Sequence, residues 1–183
     1  MMRRWFAVPL LVLTLAACED SAATADAPPP VDPTREAITY FGRMILVDHD
    51  GPRGQIHLED GTINWFPAVR DVVAFTLLPE ESKDITAIYV SDMATAETWN
   101  DPQTWMPARD AVYVIESDAR GGMGMPEAVP FSDRAAAEAF AETRGGRIVA
   151  WDAIPEDYIL SAPDDAMDMT MDGGPMTHGE AGQ

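Results

Sequence analysis

Between Thr39 and Leu160 short apolar runs alternate with turn signals, whereas both ends of the chain lack any such pattern. The spacing predicts a strand over residues 43–47, an Asp50-Gly51-Pro52 turn, a strand over 55–59 and an Asp60-Gly61 turn. Trp65-Phe66-Pro67 then opens a helix with Val69, Val72 and Val73 on one face, Pro67 suiting its first position, and a strand follows over 85–90. The order recurs further on. A strand over 111–115 leads into a glycine-rich loop, a short strand over 128–131, and Ser132 as the cap of a helix that carries Ala136, Ala139 and Phe140 inward. Gly145-Gly146 stops that helix before a strand over 147–151. Both units read strand, strand, helix, strand. The expectation is an α+β fold of two small similar units, residues 39–98 and 99–162, each sheet covered on one face by its helix and both sharing one compact body.

The ends read differently. Residues 1–17 carry Arg3 and Arg4, an apolar run from Trp5 to Leu15 and a small-residue end before Cys18. That is an export signal, too short for a permanent membrane span. Because Cys18 directly follows Leu15-Ala16-Ala17, the segment resembles a bacterial lipoprotein signal. It implies a periplasmic protein held by a lipid on Cys18, with the choice between inner and outer membrane left open by Glu19 and Asp20. Residues 18–38 hold a proline triplet and no apolar period, so they are expected to be a flexible tether with a reach of about 20–30 Å. Residues 163–183, acidic and glycine-rich, are expected to be a disordered tail. With a single cysteine no internal disulfide forms, and the fold must rest on its core.

Charge narrows the partners. Thirty-one acidic residues against 12 basic ones leave a formal net charge of −19. Such a surface repels phosphate backbones and anionic lipid, so nucleic acid is excluded as a partner and membrane contact is left to the lipid anchor. No Gly-x-Ser-x-Gly elbow, His-Glu-x-x-His helix or Cys/His pairing nominates a nucleophile or base, so the chain does not read as an enzyme. The loop from Gly121 to Gly124 precedes no helix and is no phosphate cradle.

What stands out chemically is eleven methionines beside one cysteine. Met123 and Met125 lie in the glycine-rich loop, and Met167, Met169, Met171 and Met176 crowd the tail with His178. Thioether sulfur and imidazole form a soft donor set that selects Cu(I) over harder divalent ions. Methionine also fills irregular core gaps, but a Gly-Gly-Met-Gly-Met-Pro loop and an aspartate-flanked tail are not core segments. His49, between Asp48 and Asp50, reads either as a turn-stabilising hydrogen-bonding group or as a ligand. Met44 opens an apolar run and reads either as core or as a donor. His57 alternates with apolar neighbours and is expected to face solvent. Asp164, Asp165, Asp168 and Asp172 lack the spacing of a calcium loop.

Three stretches carry a family resemblance: Met44 to Ile56, Ala87-Ile88-Tyr89-Val90-Ser91-Asp92-Met93, and Tyr113 to Asp118 leading through Gly122-Met123-Gly124 to Glu127-Ala128-Val129-Pro130-Phe131. Over residues 40–160 the chain resembles the nitrous oxide reductase accessory lipoproteins, NosL. The resemblance implies a copper chaperone that binds Cu(I) and delivers it for assembly of the copper-sulfide centre of nitrous oxide reductase, with that enzyme or its maturation machinery as partner. Position by position, Met123 matches the family's loop methionine, Met44 the methionine after a Cys-Gly pair, His49 the histidine before Gly-Pro, and Met93 the end of the Ser-Asp-Met strand. Met125 is less typical. Here Gly42-Arg43 replaces the Cys-Gly pair, so no thiolate stands beside Met44. The competing reading is a metal-free acidic lipoprotein that docks on a maturation complex.

Overall fold

A computed structural model describes residues 27–161; Cys18, Met167, Met169, Met171, Met176 and His178 lie outside the described residues. Alternation along β1 (Gly54–Leu58) turns Ile56 toward the core and Gln55 and His57 toward the opposite face. β1 is the centre of its sheet, paired antiparallel with β2 (Ile63–Phe66) and β3 (Ile85–Ser91), and β4 (Trp105–Pro107) extends the far edge. α1 (Val69–Leu77) lies on the core face with Val69, Val72, Val73 and Phe75 buried. A Cβ at Gly54 would come 2.1 Å from Val72 Cγ2, so this glycine lets helix and strand close up.

The second unit repeats the plan. β5 (Val112–Ile115) is central, with β6 (Val129–Phe131) and β7 (Arg147–Ala150) antiparallel on either side. Both faces of this sheet are covered. Tyr113 and Ile115 enter the main core beside Phe66, Phe75 and Trp151, while Val114 joins Val129, Phe131 and Ala137 under α2 (Arg134–Arg144). The α+β expectation of two like units around one shared core is met. A short α3 (Glu156–Leu160) closes the body, with Ile159 in the main core.

Several sequence expectations give way to tertiary contacts. Residues 43–47 form no strand: Arg43 has φ 55°, the chain reverses so that Thr39 N donates to Met44 O (2.8 Å), and Leu46–Asp48 is a 3-10 turn with Leu46 buried. A run of four apolar residues does not by itself separate strand from buried turn. α1 begins at Val69 and not at Pro67, because Pro67 follows β2 and its carbonyl accepts Gly122 N (3.3 Å). The α2 cap is Asp133, whose carboxylate accepts Ala135 N (3.0 Å); Ser132 is engaged by Asp92 instead, at 2.6 Å from its hydroxyl. That shift buries Ala137 and leaves Ala139 exposed.

The outer face of the first sheet is not free either. Gln55 is fully buried, and its amide accepts Val31 N (2.9 Å) and donates to Val31 O (3.0 Å). Tyr89 donates to Pro28 O (2.7 Å) and Trp105 to Asp32 (3.2 Å). The described part of the expected tether is thus strapped onto the sheet. His57 is buried beneath it, with Nε2 2.8 Å from Gln55 Oε1, and not solvent-facing; burial lowers its pKa. Among the described residues no helix is long and apolar enough to cross a membrane.

Candidate metal centre

The Gly/Met loop between β5 and β6 is a closed hairpin. Gly121 N donates to Met125 O (3.0 Å), Gly124 N to Gly121 O (2.8 Å), and Arg120 bridges Pro126. Gly124, with φ +75°, takes the turn that an L side chain rarely adopts. At its tip Met123, a large apolar side chain, is 48% exposed. Met125 is half-buried.

Gly122 docks this loop on the first unit. A Cβ there would lie 2.6 Å from Pro67 O and 2.9 Å from His49 Cβ, so only glycine allows the approach. Across 73 residues of chain, His49 Nδ1 sits 3.1 Å from Gly122 O. A carbonyl only accepts, so this bond needs the proton on Nδ1, and the tautomer that makes it has its lone pair on Nε2. Metal-binding histidines are typically held this way, the second ring nitrogen donating to a backbone carbonyl. The imidazole is therefore bonded to the backbone of the residue that precedes Met123, whose carbonyl orients the ring. Of the two readings of His49, the structure shows the hydrogen bond, and that same bond leaves a nitrogen donor available.

The other sequence candidates fall elsewhere. Met93 donates its backbone N to Pro130 O (3.0 Å) and packs with Ala94 and Trp99 against the cluster under α2. Met44 is half-buried, its methyl folded against Gly42 within the reversed loop after Thr39. Among the described residues no three His, Cys, Asp or Glu side chains gather as ligands.

Beneath the loop lies a group that the sequence pattern did not single out. Glu127 is fully buried; its Oε1 accepts Arg70 N (2.9 Å) and Ala128 N (2.8 Å), and its Oε2 has no partner. Ala68, the residue capping α1, offers no side-chain acceptor, so Glu127 satisfies an orphan donor of that helix from the other unit. Burial pushes its pKa up to about 8 against the pull of those N–H groups, and burial raises neighbouring Asp71 to about 6 against the opposing Arg70 charge. The signal available was a lone acid at the edge of the apolar run Ala128 to Phe131. Tyr158 locks the same corner, donating to Glu127 O (2.9 Å) and accepting Glu116 N (3.2 Å).

Residues 30–159 match the sequence profile of NosL proteins. The chain belongs to the NosL family. It is 39% identical over 162 residues to the copper-binding lipoprotein NosL of Achromobacter cycloclastes, covering 86% of this chain and 83% of that one. Its fold resembles the crystal structure of the copper chaperone NosL from Shewanella denitrificans, with a TM-score of 0.63 and 28% identity over 70% of this chain and 98% of the other. These relatives are named for binding and carrying copper, and not as enzymes.

Proposed function

We propose that this NosL-family chain is a copper chaperone of the periplasm, anchored by a lipid on Cys18, which takes up Cu(I) at a site built from His49 and Met123 and passes it to nitrous oxide reductase or its maturation machinery for the copper-sulfide centre. The observation that carries the reading is the His49–Gly122 hydrogen bond, which orients the imidazole through the residue that precedes the exposed Met123. The copper-binding and lipoprotein names of the relatives support it. One imidazole and one thioether suit a soft monovalent ion, and neither needs to lose a proton to bind. An open two-donor site also suits transfer, because an incoming thioether or thiolate of the receiving protein can join the metal before Met123 leaves it. Met125, in the same loop, and Met44, in the first family stretch, are further candidate donors, Met93 is the least favoured because it packs against the second core, and the tail methionines with His178 form a second, weaker store.

The test is anaerobic Cu(I) titration of the chain from residue 18 onward with Cys18→Ser. Wild type is expected to bind one ion tightly and further ions weakly. Met123→Ile and His49→Ala are each expected to weaken the tight site by at least tenfold, while removal of residues 163–183 lowers the number of ions bound and spares that site. Unchanged affinity in both point variants, with loss on truncation, assigns copper to the tail; no tight binding at all leaves the metal-free docking protein.

A further inference from the structure

We infer that Arg53 is the positioning residue for the His49 imidazole, holding the ligand segment against the connection between β3 and β4; this rests on the copper reading of His49. The segment His49–Gly51 belongs to no strand, so its backbone depends on irregular partners. His49 N donates to Leu46 O (3.1 Å), and Gly51 N donates to Trp99 O (3.2 Å) with the indole packed on Gly51. The His49 carbonyl is taken by Arg53 Nη2 at 3.3 Å, and the same nitrogen donates to Asn100 O at 3.1 Å. Arg53 Nη1 reaches Asp101 at 3.3 Å. One guanidinium therefore ties the ligand residue to the 100–101 segment.

The base of this side chain is equally fixed. Arg53 N donates to Ser91 Oγ (3.0 Å) and its carbonyl accepts Ser91 N (3.0 Å), so the fork projects from the rigid edge of the first sheet. The Arg53 side chain is only 6% exposed, and its Nε has no hydrogen-bond partner. A buried cation with an orphan donor is a poor device for stability alone, since an apolar side chain of like size often serves as well. What an apolar residue or a lysine lacks is the planar fork that grips two carbonyls and a carboxylate at once. With the Gly122 carbonyl on the ring side and Arg53 on the backbone side, the imidazole is held from two directions.

The test reads the ring itself, without metal, by nitrogen-15 NMR of the chain from residue 18 with Cys18→Ser. Wild-type His49 is expected as one tautomer, protonated on Nδ1. Arg53→Lys is expected to shift His49 toward a tautomer mixture and to lower Cu(I) affinity by about 10- to 100-fold, the usual effect of removing an outer hydrogen bond from a metal ligand. Asp101→Ala, at a position with its side chain 63% exposed, tolerates folding and is expected to shift His49 in the same direction by less. His57, two residues beyond Gln55 on the same strand, serves as internal control and is expected to stay unchanged. Wild-type His49 signals in both variants, or His57 shifting along with His49, would overturn the inference. Should His49→Ala leave Cu(I) affinity intact, the copper reading fails, while the tautomer result still decides what Arg53 does.

Discussion

Glu127→Gln isolates the consequence of burying a carboxyl group under the ligand loop. Its pKa of about 8 in the fold compares with about 4.3 in an unfolded chain, so between those values the folded protein keeps a proton that the unfolded chain releases. The stability due to Glu127 is complete below the lower value, declines as pH rises through the window, and levels off above the upper one. At about 1.4 kcal/mol per pKa unit, raising the pH from 6 to 8 removes about 2 kcal/mol once the curvature near the pKa is included. Asp71, raised to about 6, has the same sign but completes most of its loss below that pH. His57, lowered by burial, has the opposite sign, gaining stability as pH rises through 6.5. The His57 contribution is common to wild type and variant and cancels in the difference, while the Asp71 charge acts through the Glu127 value it helps to raise. Glutamine keeps the acceptor for Arg70 N and Ala128 N and carries no charge. Urea unfolding at pH 6 and pH 8 should therefore show the variant gaining about 2 kcal/mol on wild type between the two conditions. An equal difference at both pH values would mean that the carboxyl is already ionised at pH 6, and the account of this corner would be wrong.

Met93→Leu should leave tight Cu(I) binding untouched and cost under about 1.5 kcal/mol, because the side chain acts as packing for the cluster under α2; weakened copper binding in that variant would restore Met93 as a ligand. Gln55→Leu should cost about 2 kcal/mol by leaving the buried His57 nitrogen and the part-buried Val31 backbone groups without their partner. Hydrogen exchange at the Val31 amide should accelerate in the same variant, and unaltered exchange there would show that the strap is held by other contacts.

Local pattern carried the reading as far as each element could be judged alone. Short apolar runs between turn signals marked β1, β3, β5 and β7, the double glycine marked the end of α2, and the repeated order of elements exposed two like units with the same central-strand plan. The glycine-rich loop announced itself through composition, since thioethers between glycines have no apolar neighbours to pack with. β2 and β4 were missed, β2 because Trp65-Phe66 reads together with Pro67 as the opening of the helix, and β4 because three residues ending in proline leave no period to read. The strand expected over 43–47 failed because a short apolar run is compatible with any buried backbone.

Residue order alone thus marked β1, β3, β5, β6, β7 and the two longer helices, the strongly acidic balance of the chain, and which side chains are soft donors. How those donors combine was decided by docking of the two units. His49 meets Gly122 across 73 positions, Glu127 completes the start of α1 across 57, and Gln55 captures Val31 across 24. Periodicity reports which face of an element is turned away from water. It carries no information on which distant carbonyl or amide will complete a hydrogen bond, because that depends on the shape in which whole elements pack.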